Sequence, residues 1–136
     1  MNPNYNQNYT KEQIELILNQ IKECVLNGHF TVSLNRQRQE NIDFVNEYNI
    51  RHNRQVAIIQ QIQCDDFCHS LQNINPGFEH EVLYVFAPQV DLYNATGDKE
   101  LVDVYTKFNL IKRSDSNFTF VVSFHKLNRP ISYLFR

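Results

Sequence analysis

The sequence of 136 residues contains no tryptophan, one methionine, three glycines and four prolines. So little glycine and proline excludes a collagen-like chain, a proline-rich chain and a flexible linker between domains. No apolar run approaches the roughly 18 residues that a membrane-spanning helix needs, so we expect no membrane partner. With 42 % hydrophobic residues, the composition is instead typical of one water-soluble globular domain.

Positive charge is also scarce, with 13 Lys and Arg residues against 15 Asp and Glu residues and a formal net charge of −2. This sum argues against a uniformly basic nucleic-acid-binding protein, because neutralising phosphates requires a surplus of cations. The charges are unevenly distributed, however. Lys99 is the only Lys or Arg between Cys64 and Asp103, whereas six cations from Lys107 onward face only Asp115. The C-terminal part of the chain is therefore locally basic.

Only three cysteines are present, Cys24, Cys64 and Cys68, so at least one of them has no disulfide partner in the chain. The N-terminus lacks the pattern of a secretory signal, and we therefore predict a reducing, cytoplasmic environment. The segment CDDFCH at 64–69 contains metal-ligating residue types, but no second Cys/His pair occurs at ligand spacing. We predict that these cysteines are small, half-buried apolar residues, with no metal site and no cofactor.

The first half of the chain has helical periodicity after a polar start. Residues 1–9 are polar and aperiodic, and we predict a flexible N-terminus. Thr10 and Gln13 form a capping-box pattern, after which apolar residues recur on one helix face up to Gly28. Further helices are predicted over 38–48 and 54–62, with a short β-type stretch at 29–34 and one more helical turn at 66–71.

The second half has the alternation of β-strands. Strands are predicted over 82–90, 101–111 and 118–124, and the turns at 94–98 and 112–117 are short enough for antiparallel hairpins. The predicted fold class is α+β, with N-terminal helices packed on an antiparallel sheet. We expect a single domain over 10–127 and a C-terminal extension over 128–136.

Strand alternation also predicts which of the reactive side chains share one face of the sheet. It places Tyr105 and Lys107 on one face of their strand. The next strand is predicted to alternate between one face with Thr119, Val121, Ser123 and His125 and another with Phe118, Phe120, Val122 and Phe124. The hairpin register would then bring His125 beside Tyr105 and Lys107, although the alternative is an ordinary solvated sheet face. His69 and His80 could approach the sheet from outside, or be ordinary surface histidines.

Several strings of the sequence occur in an order that is found in one known family. They are IKECVLNGHF, VAIIQQI followed by DDFCHSL, FAPQV, VDVYTKFNLI and FVVSFHK. Over residues 14–126 the chain resembles the motility quorum-sensing regulator (MqsR) family of messenger-RNA interferase toxins. The resemblance implies a RelE-like fold with a three- to four-stranded antiparallel sheet. It also implies that a cognate antitoxin of a type II toxin–antitoxin system neutralises the protein.

The resemblance also implies an activity, which is endoribonuclease cleavage of mRNA without a metal ion. A general base removes the proton of a 2′-hydroxyl, the oxygen attacks the adjacent phosphorus, and a general acid protonates the departing 5′-oxygen. Tyr105 and Lys107 match the family's Tyr and Lys, whereas His69 and His125 stand where the family has lysines. Aligned on Pro88, the family's remaining polar position holds Leu83, for which His80 is a possible substitute.

Histidine suits both proton steps, since its ordinary pKa of ~6.5 lies near neutrality. We therefore expect His69 and His125 to share proton transfer, Lys107 and Lys126 to hold the phosphate, and Tyr105 to orient or stack on the nucleotide. The expected catalytic residues are His69, Tyr105, Lys107 and His125, and the expected RNA-binding residues are Lys112, Arg113, Lys126 and Arg129.

Two other interpretations remain at this point. The loss of two family lysines and the negative net charge favour a catalytically inactive module of the same fold that binds protein or nucleic acid. The second interpretation is that the chain is a small globular protein of unrelated function. The basic residues Lys112, Arg113 and Arg129 are either a clamp for the RNA backbone or a solvated turn and terminus.

Overall fold

The computed structural model describes residues 5–136. Within this part of the chain, three α-helices lie in the first half and most of a six-stranded mixed sheet lies in the second, which confirms the α+β class. The helices are α1 (Lys11–Leu26), α2 (Gln39–Glu47) and α3 (His52–Gln61). The strands are β1 (Phe30–Val32), β2 (Phe67–Gln72), β3 (Val82–Phe86), β4 (Gln89–Tyr93), β5 (Lys99–Lys112) and β6 (Asn117–Lys126). Short 3₁₀ turns cover Arg36–Arg38 and Cys64–Asp66.

Helix α1 begins and ends as the sequence predicts. The Thr10 side chain accepts a hydrogen bond from the Gln13 N–H, and the Gln13 side chain accepts one from the Thr10 N–H, which completes the capping box. Gly28 follows the helix with φ of +77°, a left-handed conformation that costs glycine little. The apolar face, with Ile14 and Ile21 fully buried, packs on the sheet. The helices predicted over 38–48 and 54–62 are confirmed as α2 and α3.

The sheet is larger than the three- to four-stranded antiparallel sheet that we expected. Its strand order is β1-β6-β5-β3-β2, and β4 pairs with the first part of β5. β1 runs parallel to β6, whereas the other pairs are antiparallel. The predicted strand over 82–90 is divided into β3 and β4 at Ala87 and Pro88, because proline cannot donate to a ladder.

The prediction of a helical turn at 66–71 is wrong. Only Cys64–Asp66 is helical, and the chain then becomes β2, which pairs with β3. A segment of six residues contains too few apolar positions to distinguish a helical period from a buried strand.

The helices cover one face of the sheet, and the other face carries polar side chains together with a small apolar cluster of Cys68, Val85 and Ala87. A register shift between β5 and β6 pairs Lys107 with Ser123 and Phe108 with Val121, so Val122 is an extra residue. As a result, Phe124 and Val121 both lie in the core under the helices, contrary to the expected alternation. The face away from the helices carries Val85, with Lys107 and His69 on either side of it.

Both ends of the described chain contact the sheet. Residues 1–4 of the predicted flexible N-terminus lie outside the described residues, and Asn6 of the remainder exchanges two backbone hydrogen bonds with Ser70 of β2. Of the predicted C-terminal extension, the Leu134 N–H donates to the Phe67 carbonyl, and the Tyr133 hydroxyl donates to the Ala87 carbonyl at 2.8 Å. Residues 5–9 and 131–136 therefore add to the packing of the domain.

Among residues 5–136, no helix combines the length and the apolar composition needed to cross a membrane.

Candidate functional site

Three of the predicted site residues lie side by side on the sheet face away from the helices. Tyr105 of β5 is paired in register with His125 of β6, and their rings stack with centroids 5.3 Å apart. Lys107 is two residues further along the same face of β5, and its Nζ lies 5.8 Å from the centre of the Tyr105 ring. The extra residue Val122 sets this register, because the pairing of Lys112 with Asn117 at the turn would otherwise continue to place Phe124 opposite Tyr105. The structure thus joins an imidazole, a phenol and an ammonium group. Alternation in β5 predicts the shared face of Tyr105 and Lys107, and the bulge brings His125 to that face.

The hydrogen bonding of His125 determines which ring nitrogen is available. Its Nδ1 lies 2.8 Å from the backbone carbonyl of Lys126 and 3.6 Å from a carboxylate oxygen of Glu40. Because a carbonyl only accepts hydrogen bonds, Nδ1 carries the proton. In the neutral ring, Nε2 then holds the lone pair, and this nitrogen is the one that can accept a proton from a ligand.

Burial changes the acidity of both β5 residues. It raises the pKa of Tyr105 to about 12, with a smaller contribution from the Tyr5 phenol, so the Tyr105 hydroxyl stays protonated and able to donate at neutral pH. Burial also lowers the pKa of Lys107, and the positive charges of Arg38 and Arg129 lower it further. The Lys107 ammonium is therefore a better proton donor than an ordinary lysine.

His69 lies on the same sheet face but is covered. It pairs with Val85, which in turn pairs with Lys107, so one strand separates the two side chains. The ring of Tyr5 stacks on His69 with centroids 3.7 Å apart, and His69 is 2 % exposed. Within the described chain, its Nε2 is buried without a hydrogen-bond partner. Burial, and secondly the Lys107 charge, lower the pKa of His69 to about 4, so the ring is neutral at pH 7.

Lys126 follows His125 in sequence but its side chain lies on the opposite side of the sheet. Its Nζ donates to a Glu47 carboxylate oxygen at 3.0 Å and lies 5.0 Å from the centre of the Tyr48 ring. Hydrogen bonds to Tyr48 and then Glu47 raise the pKa of Lys126 to about 12. The structure therefore separates Lys126 from the cluster of Tyr105, Lys107 and His125.

The other predicted RNA-binding residues divide between two regions. Lys112 and Arg113 lie at the far end of β5, about 17 Å along the strand from Lys107. Arg129 lies close enough to Lys107 for its charge to lower the pKa of that lysine. His80 is exposed in the β2–β3 connection and lines a pocket with Tyr84 and Lys112, away from the cluster.

The sequence did not indicate two arginines that lie next to the cluster. A pocket of about 170 Å³ opens beside His125, and its wall contains Arg36 and Arg38 from the turn before α2. Its lining consists of Arg36, Gln37, Arg38, Gln39, Glu40, Asn41, Ser123 and His125. The two arginines belong to no recognisable motif and lie far along the chain from His125. The one available signal was the pair of cations in the RQR segment before a predicted helix.

Asn41 holds this arginine-bearing turn beside β6. Its side-chain amide donates to the carbonyls of Ser33 and Val122, and its carbonyl oxygen accepts from the Phe124 N–H at 2.8 Å. β1 ends at Val32, so the buried Asn41 side chain continues the hydrogen bonding of the β6 edge where β1 no longer does. The start of α2 is thereby fixed against the strand that carries His125.

The described residues include no group of three or more His, Cys, Asp or Glu side chains arranged to hold a metal ion. The chain matches no known protein-family model, no curated protein and no solved structure.

Proposed function

We propose that the protein is an endoribonuclease that cleaves single-stranded mRNA, the toxin component of a type II toxin–antitoxin system with a RelE-like fold. The observation that carries this proposal is the in-register pairing of Tyr105 with His125, with Lys107 beside them on the same face. The resemblance to the MqsR family supports it. We place the activity in the cytoplasm, in keeping with the free thiols of Cys24, Cys64 and Cys68.

The geometry supports a division of roles for cleavage by internal attack. The free Nε2 of His125 removes the proton from the ribose 2′-hydroxyl, and the 2′-oxygen forms a bond to the adjacent phosphorus. The bond from phosphorus to the 5′-oxygen breaks, which leaves a 2′,3′-cyclic phosphate and a 5′-hydroxyl. Lys107 donates the proton to the departing 5′-oxygen, and the Tyr105 hydroxyl donates a hydrogen bond to a phosphate oxygen. No metal ion takes part in this scheme.

His69 has no direct part in this proposal. A ring that is 2 % exposed and neutral under Tyr5 cannot reach a bound phosphate. The expected sharing of proton transfer between two histidines therefore becomes a division between His125 and Lys107.

The experiment compares cleavage of RNA by the wild-type protein and by His125→Ala. Loss of the general base is expected to lower the cleavage rate by roughly 10²- to 10⁴-fold. The control is His29→Ala, an exposed histidine outside the cluster, which should cleave at the wild-type rate. Circular dichroism checks that both variants are folded. Unchanged cleavage by His125→Ala would refute the proposed role.

A second candidate function is binding without cleavage, and the burial of His69 favours it. In that case the same face holds RNA or a protein partner without cleavage, because the second histidine that the sequence led us to expect for proton transfer is covered by Tyr5. Expression in a bacterial host distinguishes the two. A toxin arrests growth, is relieved by the product of the neighbouring reading frame, and loses toxicity in His125→Ala. A binding module gives no cleavage product from purified RNA in any variant.

A further inference from the structure

The surroundings of Lys107 and His125 contain more positive charge than the net charge of the chain suggests. Arg38 and Arg129 both lie close enough to Lys107 for their charges to disfavour its ammonium. Arg36 and Arg38 line the pocket beside His125, which contains one carboxylate, Glu40. Like charges held close together in this way repel one another unless an anion lies between them.

Glu40 is the one carboxylate in this pocket, and no carboxylate of the described chain forms an ion pair with Arg36, Arg38, Lys107 or Arg129. The ion pairs of residues 5–136 use other cations, namely Lys11, Lys99, Lys126 and Arg136, together with the contact of His125 to Glu40. Glu40 also accepts a hydrogen bond from the Asn128 side chain at 2.6 Å, and it forms no ion pair with Arg36 or Arg38. The two guanidinium groups therefore keep their donors available for a ligand.

The pocket is large enough for a polyatomic anion. Its volume of about 170 Å³ is roughly ten times the ~15 Å³ that one buried water needs. Guanidinium groups bind phosphate oxygens through two parallel hydrogen bonds, which makes arginine the side chain best suited to a phosphodiester. The stacked rings of Tyr105 and His125 lie next to this pocket, and such rings stack on unpaired bases.

We propose that the pocket between the Arg36–Arg38 turn and β6 binds a phosphodiester of single-stranded RNA that flanks the phosphate at His125. The inference rests on the proposed function for the identity of the polymer. It adds a second phosphate contact next to the cleaved bond, which fixes the position of the strand relative to His125. Arg36 and Arg38 bind and position the substrate in this scheme.

The test measures the binding of a fluorescein-labelled 2′-O-methyl RNA 12-mer by fluorescence anisotropy at several salt concentrations. This probe has no free 2′-hydroxyl, so it reports binding whether or not the protein cleaves RNA. Arg38→Gln and Arg36→Gln should each weaken binding by about fivefold or more. Each should also reduce the slope of log K against log salt by about 0.7, the value for one phosphate contact on a single strand.

Matched variants keep this result interpretable. Arg51→Gln removes an exposed arginine at the start of α3, outside the pocket, and should leave both affinity and slope unchanged. Arg38→Lys keeps the charge and should keep the slope while losing part of the affinity. If the slope is unchanged in folded Arg38→Gln and Arg36→Gln, the phosphodiester assignment is refuted.

Two further outcomes separate this inference from the proposed function. If the wild-type protein does not cleave RNA, but the arginine variants reduce the salt slope of RNA binding, the phosphodiester pocket is supported and the proposed nuclease activity is refuted. Inorganic phosphate is the second probe. The affinity for phosphate could depend on Arg38 when the affinity for the 12-mer does not. In that case the pocket is a site for free phosphate, and the assignment to RNA is refuted.

Discussion

His69 links the acidity of one side chain to the stability of the whole protein. Burial under Tyr5 lowers its pKa to about 4, from an ordinary value of 6.5. Between these two pH values the unfolded chain binds a proton that the folded protein does not, so the free energy of unfolding rises with pH across this window. From pH 7 to pH 4, His69 should thus account for a loss of about 3 kcal/mol at most.

Urea unfolding at pH 7 and pH 4.5 measures this effect. His69→Phe keeps an aromatic ring against Tyr5 but cannot take up a proton, so its unfolding free energy should fall less on acidification than that of the wild-type protein. His80→Phe changes an exposed histidine and should retain the wild-type pH dependence. An equal loss in wild type and His69→Phe would contradict the prediction.

At the scale of elements, the contact between α2 and β6 depends on one buried side chain. Asn41 is 1 % exposed and makes three hydrogen bonds to the backbone of residues 33, 122 and 124. Asn41→Ala removes the partners of the Ser33 and Val122 carbonyls and leaves the Phe124 N–H buried without one, at a cost of about 3 kcal/mol. The change should also release the start of α2, and with it the preceding turn that carries Arg38, from β6 and weaken binding of the 2′-O-methyl RNA probe.

Thermal unfolding and the anisotropy assay test the two parts of this prediction. Asn46→Ala, at an exposed position of the same helix, is the matched control and should change neither the melting temperature nor RNA binding. A stability of Asn41→Ala equal to that of Asn46→Ala would show that α2 is held to β6 by its apolar contacts alone.

The sequence predicts elements best where the local signal is long or repeated. The capping box and the apolar spacing from Ile14 to Val25 predict α1, and the alternation in β5 predicts the face shared by Tyr105 and Lys107. The pairing of His125 with Tyr105 needs more than the short turn, because it depends on the extra residue Val122 in β6. Three features have no local signal: the strand character of β2, the extra residue Val122, and the approach of Arg38 to His125. Each depends on contacts between segments that are distant in sequence.

At the scale of the whole molecule, the C-terminal extension over 128–136 determines how much of the sheet face away from the helices is covered. Tyr133 and Ile131 pack on the cluster formed by Cys68, Val85 and Ala87, and Leu134 and Phe135 contact the main core. The predicted domain over 10–127 lacks all four of these side chains. This shorter chain would gain less from folding, because it lacks these apolar side chains and because the apolar surface beneath them would face water.

We therefore expect a chain that ends at Leu127 to lose roughly 3 kcal/mol or more of unfolding free energy, or to fail to fold. The hydrogen bonds from Tyr133 to the Ala87 carbonyl and from Arg136 to Asp66 are lost at the same time. Phe135→Ala in the full-length chain tests the packing contribution without removing those bonds, and Ser132→Ala is its exposed control. Urea midpoints should decrease in the order Ser132→Ala, Phe135→Ala, truncated chain. A truncated chain with the wild-type midpoint would show that residues 128–136 contribute nothing to the stability of the domain.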